Sequence, residues 1–144
     1  MNGFLLDTNV VSELVRPRPD TRVTDWMNSA DEELLFLSVL TLGEVRKGIT
    51  TVTDPARRGR LETWLTSGLI ARFEGRILGI DQTIADRWGQ ISGSLALRGT
   101  PLAVIDGLLS ATALHYNLTL VTRNTRDVAL TGAAVFDPWT RLGE

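Results

Sequence analysis

FLLDTNVVSEL, residues 4–14, passes from an unbroken apolar run into an aspartate, Asp7, and then into residues that open a helix. A short apolar run without alternation is the pattern of a strand buried on both faces of a parallel sheet. Asp7 then stands at a strand's carboxyl end, where open α/β sheets collect their ligand-binding groups. Capping of the following helix is a sufficient local reason for an acid there, so the rest of the chain must decide whether it has a second role.

Working outward, residues 3–6 read as a strand and 8–15 as a helix that RPRPD (16–20) stops. Asp20 or Thr21 caps a second helix with Val23, Trp26 and Met27 at amphipathic spacing. ELLFLS (33–38) reads as a second buried strand, and Ser38 caps the helix VLTLGEVRKGI (39–49). Asp54 and Pro55 open another helix, with Leu61, Trp64, Leu65 and Leu69 on its apolar face. RILGI (76–80) is a short strand or a connector. Asp81 begins a helix carrying Ile84, Ala85, Trp88 and Ile91, which Gly99 closes. A helix over about 102–116 leads through Asn117 to the strand LTLVT (118–122), and a helical turn near 125–130 and the strand AAVF (133–136) follow. This alternation predicts one α/β domain spanning 1–144, with a parallel sheet of four to five strands flanked by helices on both faces.

A chain of 144 residues buries roughly two thirds of the surface its unfolded form exposes, enough for a core without staples. Cysteine is absent, which removes disulfides, zinc-thiolate sites and a cysteine nucleophile, and fits the cytoplasm. Neither a signal peptide nor a membrane span is apparent, since Asp7 and Glu13 interrupt the first apolar stretch and Asp106 the longest one. With a net charge of −2 the molecule lacks the broad cationic field of many nucleic-acid binders, so a polyanion must be met locally. Of the 15 basic residues all but Lys47 are Arg, the side chain better suited to bidentate phosphate contact.

The acids are the residues that the folding pattern leaves unexplained. Asp106 is the only formally charged side chain from Gly99 to Thr122. Ala103, Ser110 and Ala113 on its helical stripe are small, as where a helix packs closely on a sheet. A carboxylate held there needs a cation, a donor set or a raised pKa, unless it serves only the helix dipole from the second turn. Glu44 lies between Gly43 and Gly48. Two glycines in one helix cost roughly 1 kcal/mol each relative to alanine, which predicts a close approach to the backbone. VTRNTRD (121–127) places Asn124 and Asp127 just beyond a strand's carboxyl end. Two bare charges 4 Å apart repel by about 4 kcal/mol at an effective dielectric near 20, and a divalent cation removes that penalty. Oxygen-only ligands favour Mg²⁺ or Mn²⁺, and the single His115 offers no imidazole cluster. Such a cation suits phosphodiester hydrolysis.

In LLDTNVVSELVRP, LSVLTLGEVRKGI, GTPLAVIDGLLSATALHYNLTLVTRNTRD and FDPW, taken in this order and spacing, the chain resembles PIN-domain proteins, specifically the VapC-type toxic ribonucleases in their FitB-like branch. The resemblance implies a Mg²⁺-dependent endoribonuclease that acts as the toxin of a toxin-antitoxin pair. It implies that Asp7, Glu44 and Asp106 belong to the acidic site, with Asp7 and Asp106 holding the metal most directly. Relatives carry the fourth acid at the position of Asn124 or at that of Asp127. Here only Asp127 ionises, so it takes the fourth place and Asn124 is a polar neighbour. The resemblance further implies a homodimer and a cognate antitoxin whose segment lies over the acidic groove, in a heterotetramer or larger assembly.

Arg46, Lys47, Arg123 and Arg126 are near these acids in sequence and are candidate phosphate contacts on an RNA substrate. Trp26 and Trp64 are candidates for partner contact or for core packing. Two rival readings stand beside the nuclease. A phosphatase forming an aspartyl-phosphate on Asp7 wants a second acid where this chain has Asn9. A non-enzymatic metal-binding regulatory module predicts cation binding without cleavage.

Overall fold

The computed structural model describes residues 3–140. Strand β1 (Phe4–Leu6) leads into helix α1 (Thr8–Glu13), and α2 (Thr21–Ser29) follows, capped by the Asp20 carboxylate on the Arg22 N–H. Next come β2 (Leu35–Ser38), α3 (Val39–Thr50), α4 (Pro55–Thr63), β3 (Ile77–Leu78) and α5 (Gln82–Leu97). The described chain continues through α6 (Val104–Tyr116), β4 (Thr119–Val121), α7 (Thr125–Ala129) and β5 (Val135–Phe136). All strand pairings are parallel, in the order β3-β2-β1-β4-β5. The chain builds outward from β1 on one side, returns, and builds outward from β4 on the other. The β1/β4 boundary is therefore the topological switch point, where crevices form at the carboxyl ends of strands.

Each short strand is apolar because both its faces are covered. Leu6, Leu35, Leu37 and Val121 enter one core with Val10, Val23, Met27, Val45, Leu65 and Phe73, which brings in α1 to α3 and the segment after α4. Leu5 and Leu120 enter the other, with Leu109 and Ala113 of α6 and Val128 of α7. Alternate residues of one strand thus go to opposite layers, as a period of two requires. Trp26 and Trp64 pack partly buried against the first core, and Trp26 meets Phe4 edge-on with ring centroids 5.2 Å apart.

Three expectations need correction. ELLFLS is not strand throughout, because Asp31 accepts the Glu33 N–H at 3.1 Å and winds Glu32–Leu34 into a 3-10 turn. The helix expected from 102 starts at Val104, after Gly99 at φ +77° and Pro101. Ala103, at ψ 143°, is still non-helical and serves as the N-cap, so Asp106 lies in the first helical turn, not the second. A Cβ at Gly43 or Gly48 would meet no atom within 4 Å, so nothing within the described chain approaches them. The close approach occurs at Gly107 instead, where a Cβ would lie 2.9 Å from Trp88 Cδ1 as α6 packs on α5. The helix opened at Pro55 carries on past Thr63 with Leu65 and Leu69 buried, as their spacing predicts, but over Trp64–Ile70 it takes π geometry, which no feature of the sequence announced.

Candidate active site

Asp7 follows β1 directly, and its N–H extends the ladder to β4 by donating to Val121 O at 2.9 Å. Leu6 pairs with Val121, so the next residue of each strand, Asp7 and Thr122, come side by side. Thr122, fully buried, donates its hydroxyl to Asp7 Oδ2 at 2.7 Å. Asp7 is also the N-cap of α1, its Oδ1 accepting the Thr8 N–H at 2.7 Å. The capping role expected of an acid in that position thus falls to Asp7 itself, on the same carboxylate that Thr122 holds.

Asp106 projects from the first turn of α6, where the helix dipole favours negative charge, and its Oδ2 accepts Asn124 Nδ2 at 3.0 Å. Asn124 in turn gives its N–H to Thr122 Oγ1 at 3.0 Å. Glu44 comes from the second turn of α3, and its Oε1 accepts the Thr8 hydroxyl at 2.5 Å. Asp7, Glu44 and Asp106, brought from three parts of the sequence, line one cleft of about 530 Å³ together with Thr8, Asn9 and Asn124.

The electrostatics of the cleft disfavour charge on Asp7 and Asp106. Burial raises the pKa of Asp7 above the ordinary carboxylate range; the Thr122 and Thr8 hydrogen bonds oppose this, and the neighbouring Asp106 and Glu44 add to it. Burial likewise raises Asp106, opposed by Asn124 and reinforced by Glu44 and Asp127. Asp127, in the first turn of α7, is exposed and near enough to repel Asp106, but it is not among the side chains lining the cleft.

Of the candidate phosphate contacts, Arg46 is engaged by Glu62 at 3.3 Å, Arg123 lies over the Trp139 ring at 4.9 Å from its centroid, and Lys47 and Arg126 are exposed. None of the four lines the cleft.

Among the described residues no three acid, histidine or cysteine side chains are gathered tightly enough to make a ready cage for a metal ion. The groups available to a cation from the cleft walls are the oxygens of Asp7, Asp106 and Glu44. Asp106 Oδ1 and Glu44 Oε2 have no protein partner among the described residues. Asn9 Oδ1 is a further oxygen on this wall, buried and without a hydrogen bond, while its Nδ2 sits 3.4 Å from Asp7 Oδ2. Mutually repelling, desolvated, oxygen-only donors with an orphaned amide oxygen beside them fit a hard divalent cation such as Mg²⁺ or Mn²⁺.

Sequence reasoning missed Thr8 and Thr122 as site residues. Thr122 was detectable in principle as the first polar residue after an apolar strand, the position that Asp7 holds after β1, but its relevance depends on knowing that β1 and β4 are neighbours. Thr8 carried no comparable signal, because its partner Glu44 lies 36 residues away.

The PIN domain family profile matches residues 4–131. Toxin FitB of Neisseria gonorrhoeae is 37% identical over 136 residues, covering 94% of this chain and 98% of that protein. VapC ribonuclease Y4jK of Sinorhizobium fredii is 29% identical over 136 residues, covering 94% and 97%. The solved structure of FitAcB from Neisseria gonorrhoeae superposes with a TM-score of 0.91 at 37% identity, covering 94% of this chain and 98% of that one.

Proposed function

Given that the chain belongs to the PIN domain family, we propose that it is a Mg²⁺- or Mn²⁺-dependent endoribonuclease serving as the toxin of a toxin-antitoxin pair. The observation that carries this reading is the convergence of Asp7, Glu44 and Asp106 on one cleft at the sheet's switch point. The names of two relatives, a toxin and a VapC ribonuclease, support it.

Asp7 and Asp106 would hold the cation, which when bound polarises a phosphoryl oxygen and makes hydroxide available near neutral pH. Thr122 and Asn124 fix the bearing of those two carboxylates by occupying one oxygen of each. Thr8 does the same for Glu44 by occupying Oε1, which leaves Oε2 to serve as the base that takes a proton from the attacking water. Asp127 acts from the rim as the fourth acid by lending negative potential, and Asn124 makes the direct contact to Asp106. Arg46, Lys47, Arg123 and Arg126 lie outside the cleft wall and serve as contacts to more distant phosphates.

The whole chain acts as one PIN domain on cytoplasmic RNA. No helix among the described residues is long and apolar enough to cross a membrane. The partners are RNA, a cognate antitoxin, and a second copy of the chain, for which the exposed Leu97 and Val104 offer apolar surface.

The test is cleavage of a mixed RNA pool by purified protein with Mg²⁺, with a chelator, and as Asp7→Asn. Loss of cleavage in the last two supports the reading. Equal survival of RNA with and without wild-type protein removes its main support, and equal cutting by Asp7→Asn means that a different site does the work.

A further inference from the structure

The acidic cleft does not end at Glu44. That residue also lines a trough of about 270 Å³ with Gly48, Arg16, Arg57 and Trp64. Arg16, Arg57 and Trp64 then line a wider groove of about 500 Å³ that reaches Arg60. Arg57, Arg60 and Trp64 recur at helical spacing along α4 and its π-helical continuation, on the face turned toward the chain leaving α1.

Arg57 and Arg60 are exposed and have no ion-pair or hydrogen-bond partner among the described residues. Arg16, also exposed, is steadied by Glu13 at 3.2 Å. Glu13 is buried, and its other oxygen holds the Asp20 N–H at 2.8 Å. In a chain of net charge −2, three arginines on one groove with Glu44 as its sole acid are a local cationic track. The empty space above Gly48 keeps the floor of the connecting trough open.

From this continuity we propose that the groove carries the single-stranded RNA flanking the scissile phosphate, with Arg57 and Arg60 on successive phosphates and Trp64 as a stacking platform for a base. The proposal rests on the ribonuclease reading and deepens it by assigning the strand's path. Guanidinium forks match phosphate oxygens, and a half-buried indole on the same groove accepts any base face without reading its edge. The glycine without a packing partner thereby gains a role, since an incoming strand passes over it.

The test measures binding of a fluorescein-labelled random single-stranded RNA pool to wild-type protein and to Arg57→Ala/Arg60→Ala over a range of salt, with a chelator present to prevent cleavage. Loss of two phosphate contacts reduces the slope of log affinity against log salt by about 1.4. Arg57→Lys/Arg60→Lys restores most of that slope. In cleavage assays with Mg²⁺ the alanine variant raises KM and leaves kcat near the wild-type value. An unchanged slope in a folded variant that still binds RNA overturns the proposal and leaves the nuclease reading intact. Unchanged RNA binding with loss of antitoxin capture assigns the groove to the protein partner, which also overturns it. If wild type neither binds nor cuts RNA, the ribonuclease reading fails, and the proposal with it.

Discussion

The Thr122 hydroxyl donates to Asp7 Oδ2 at 2.7 Å, joining the ends of β4 and β1 across 115 residues of sequence. The Thr122 Oγ1 also accepts the Asn124 N–H, and Asn124 Nδ2 donates to Asp106 Oδ2. Asp7 and Asp106 are thus joined through two intermediates, so that orienting one acid orients the other. Removing the hydroxyl leaves a buried carboxylate short of a donor, a loss of about 1–3 kcal/mol. Thr122→Val should lower cleavage by about 10- to 100-fold, the usual cost of losing a partner that orients a metal ligand, while Thr122→Ser retains most activity. Single-turnover cleavage with urea denaturation checks both, and wild-type rates in Thr122→Val would disprove the coupling.

Asp106 is raised by burial above the ordinary carboxylate value. Between that ordinary value and its folded value, the folded chain binds more protons than the unfolded chain, so stability falls as pH rises through the window and stays lower above it. Asp106→Asn removes the charge while keeping an oxygen for Asn124. Without divalent cation, the variant should melt on the order of 2 °C higher than wild type at neutral pH, and the difference should vanish below the ordinary carboxylate range. Millimolar Mn²⁺ should raise the wild-type melting temperature more than that of the variant. Melting curves with and without cation at several pH values read both effects.

Asn124 and Asp127 act on Asp106 in different ways. Asn124 touches Asp106, whereas the exposed Asp127 reaches it only through the field. Asp127→Asn should change the cleavage rate by less than about tenfold, and the change should shrink as salt screens it. Asn124→Ala should cost about 10- to 100-fold, with little salt dependence of the loss. The reverse ranking would give Asp127 the direct role.

Gly43 and Gly107 test the packing. A Cβ at Gly43 meets nothing, so Gly43→Ala should stabilise the chain by roughly 1 kcal/mol through helix propensity alone. At Gly107 the added carbon presses on the Trp88 ring at 2.9 Å, and overpacking of about 1–3 kcal/mol outweighs the same propensity gain. Urea titrations should shift in opposite directions for the two substitutions.

These contrasts also mark what the sequence carries. FLL, LFLS and TLV announce buried strands because both faces of a parallel strand are covered, and Asp20, Ser38 and Asp81 announce helices because each caps one through its own side chain. Asp7, Glu44 and Asp106 were legible as acids at strand ends or in unusual helical company, and one cleft gathers all three. The hydrogen-bond partners were not, since Thr122 matters only once β4 lies beside β1, and strand order is a property of the whole chain. The glycines of α3 misled for a related reason. Helix propensity says that a glycine is costly but not which neighbour, if any, repays it, and the tight contact belongs to Gly107 on another helix.

A water activated in the acidic cleft and attacking the RNA phosphodiester leaves its oxygen in the product. The most direct measurement runs the cleavage with Mg²⁺ in ¹⁸O-water and analyses the new ends by mass spectrometry, with Asp7→Asn as control. Hydrolysis by that water puts one ¹⁸O in each new terminal phosphate and leaves a free hydroxyl on the opposing fragment, with no product from Asp7→Asn. A 2′,3′-cyclic phosphate formed without ¹⁸O would mean that the RNA's own 2′-hydroxyl is the nucleophile, and would contradict it.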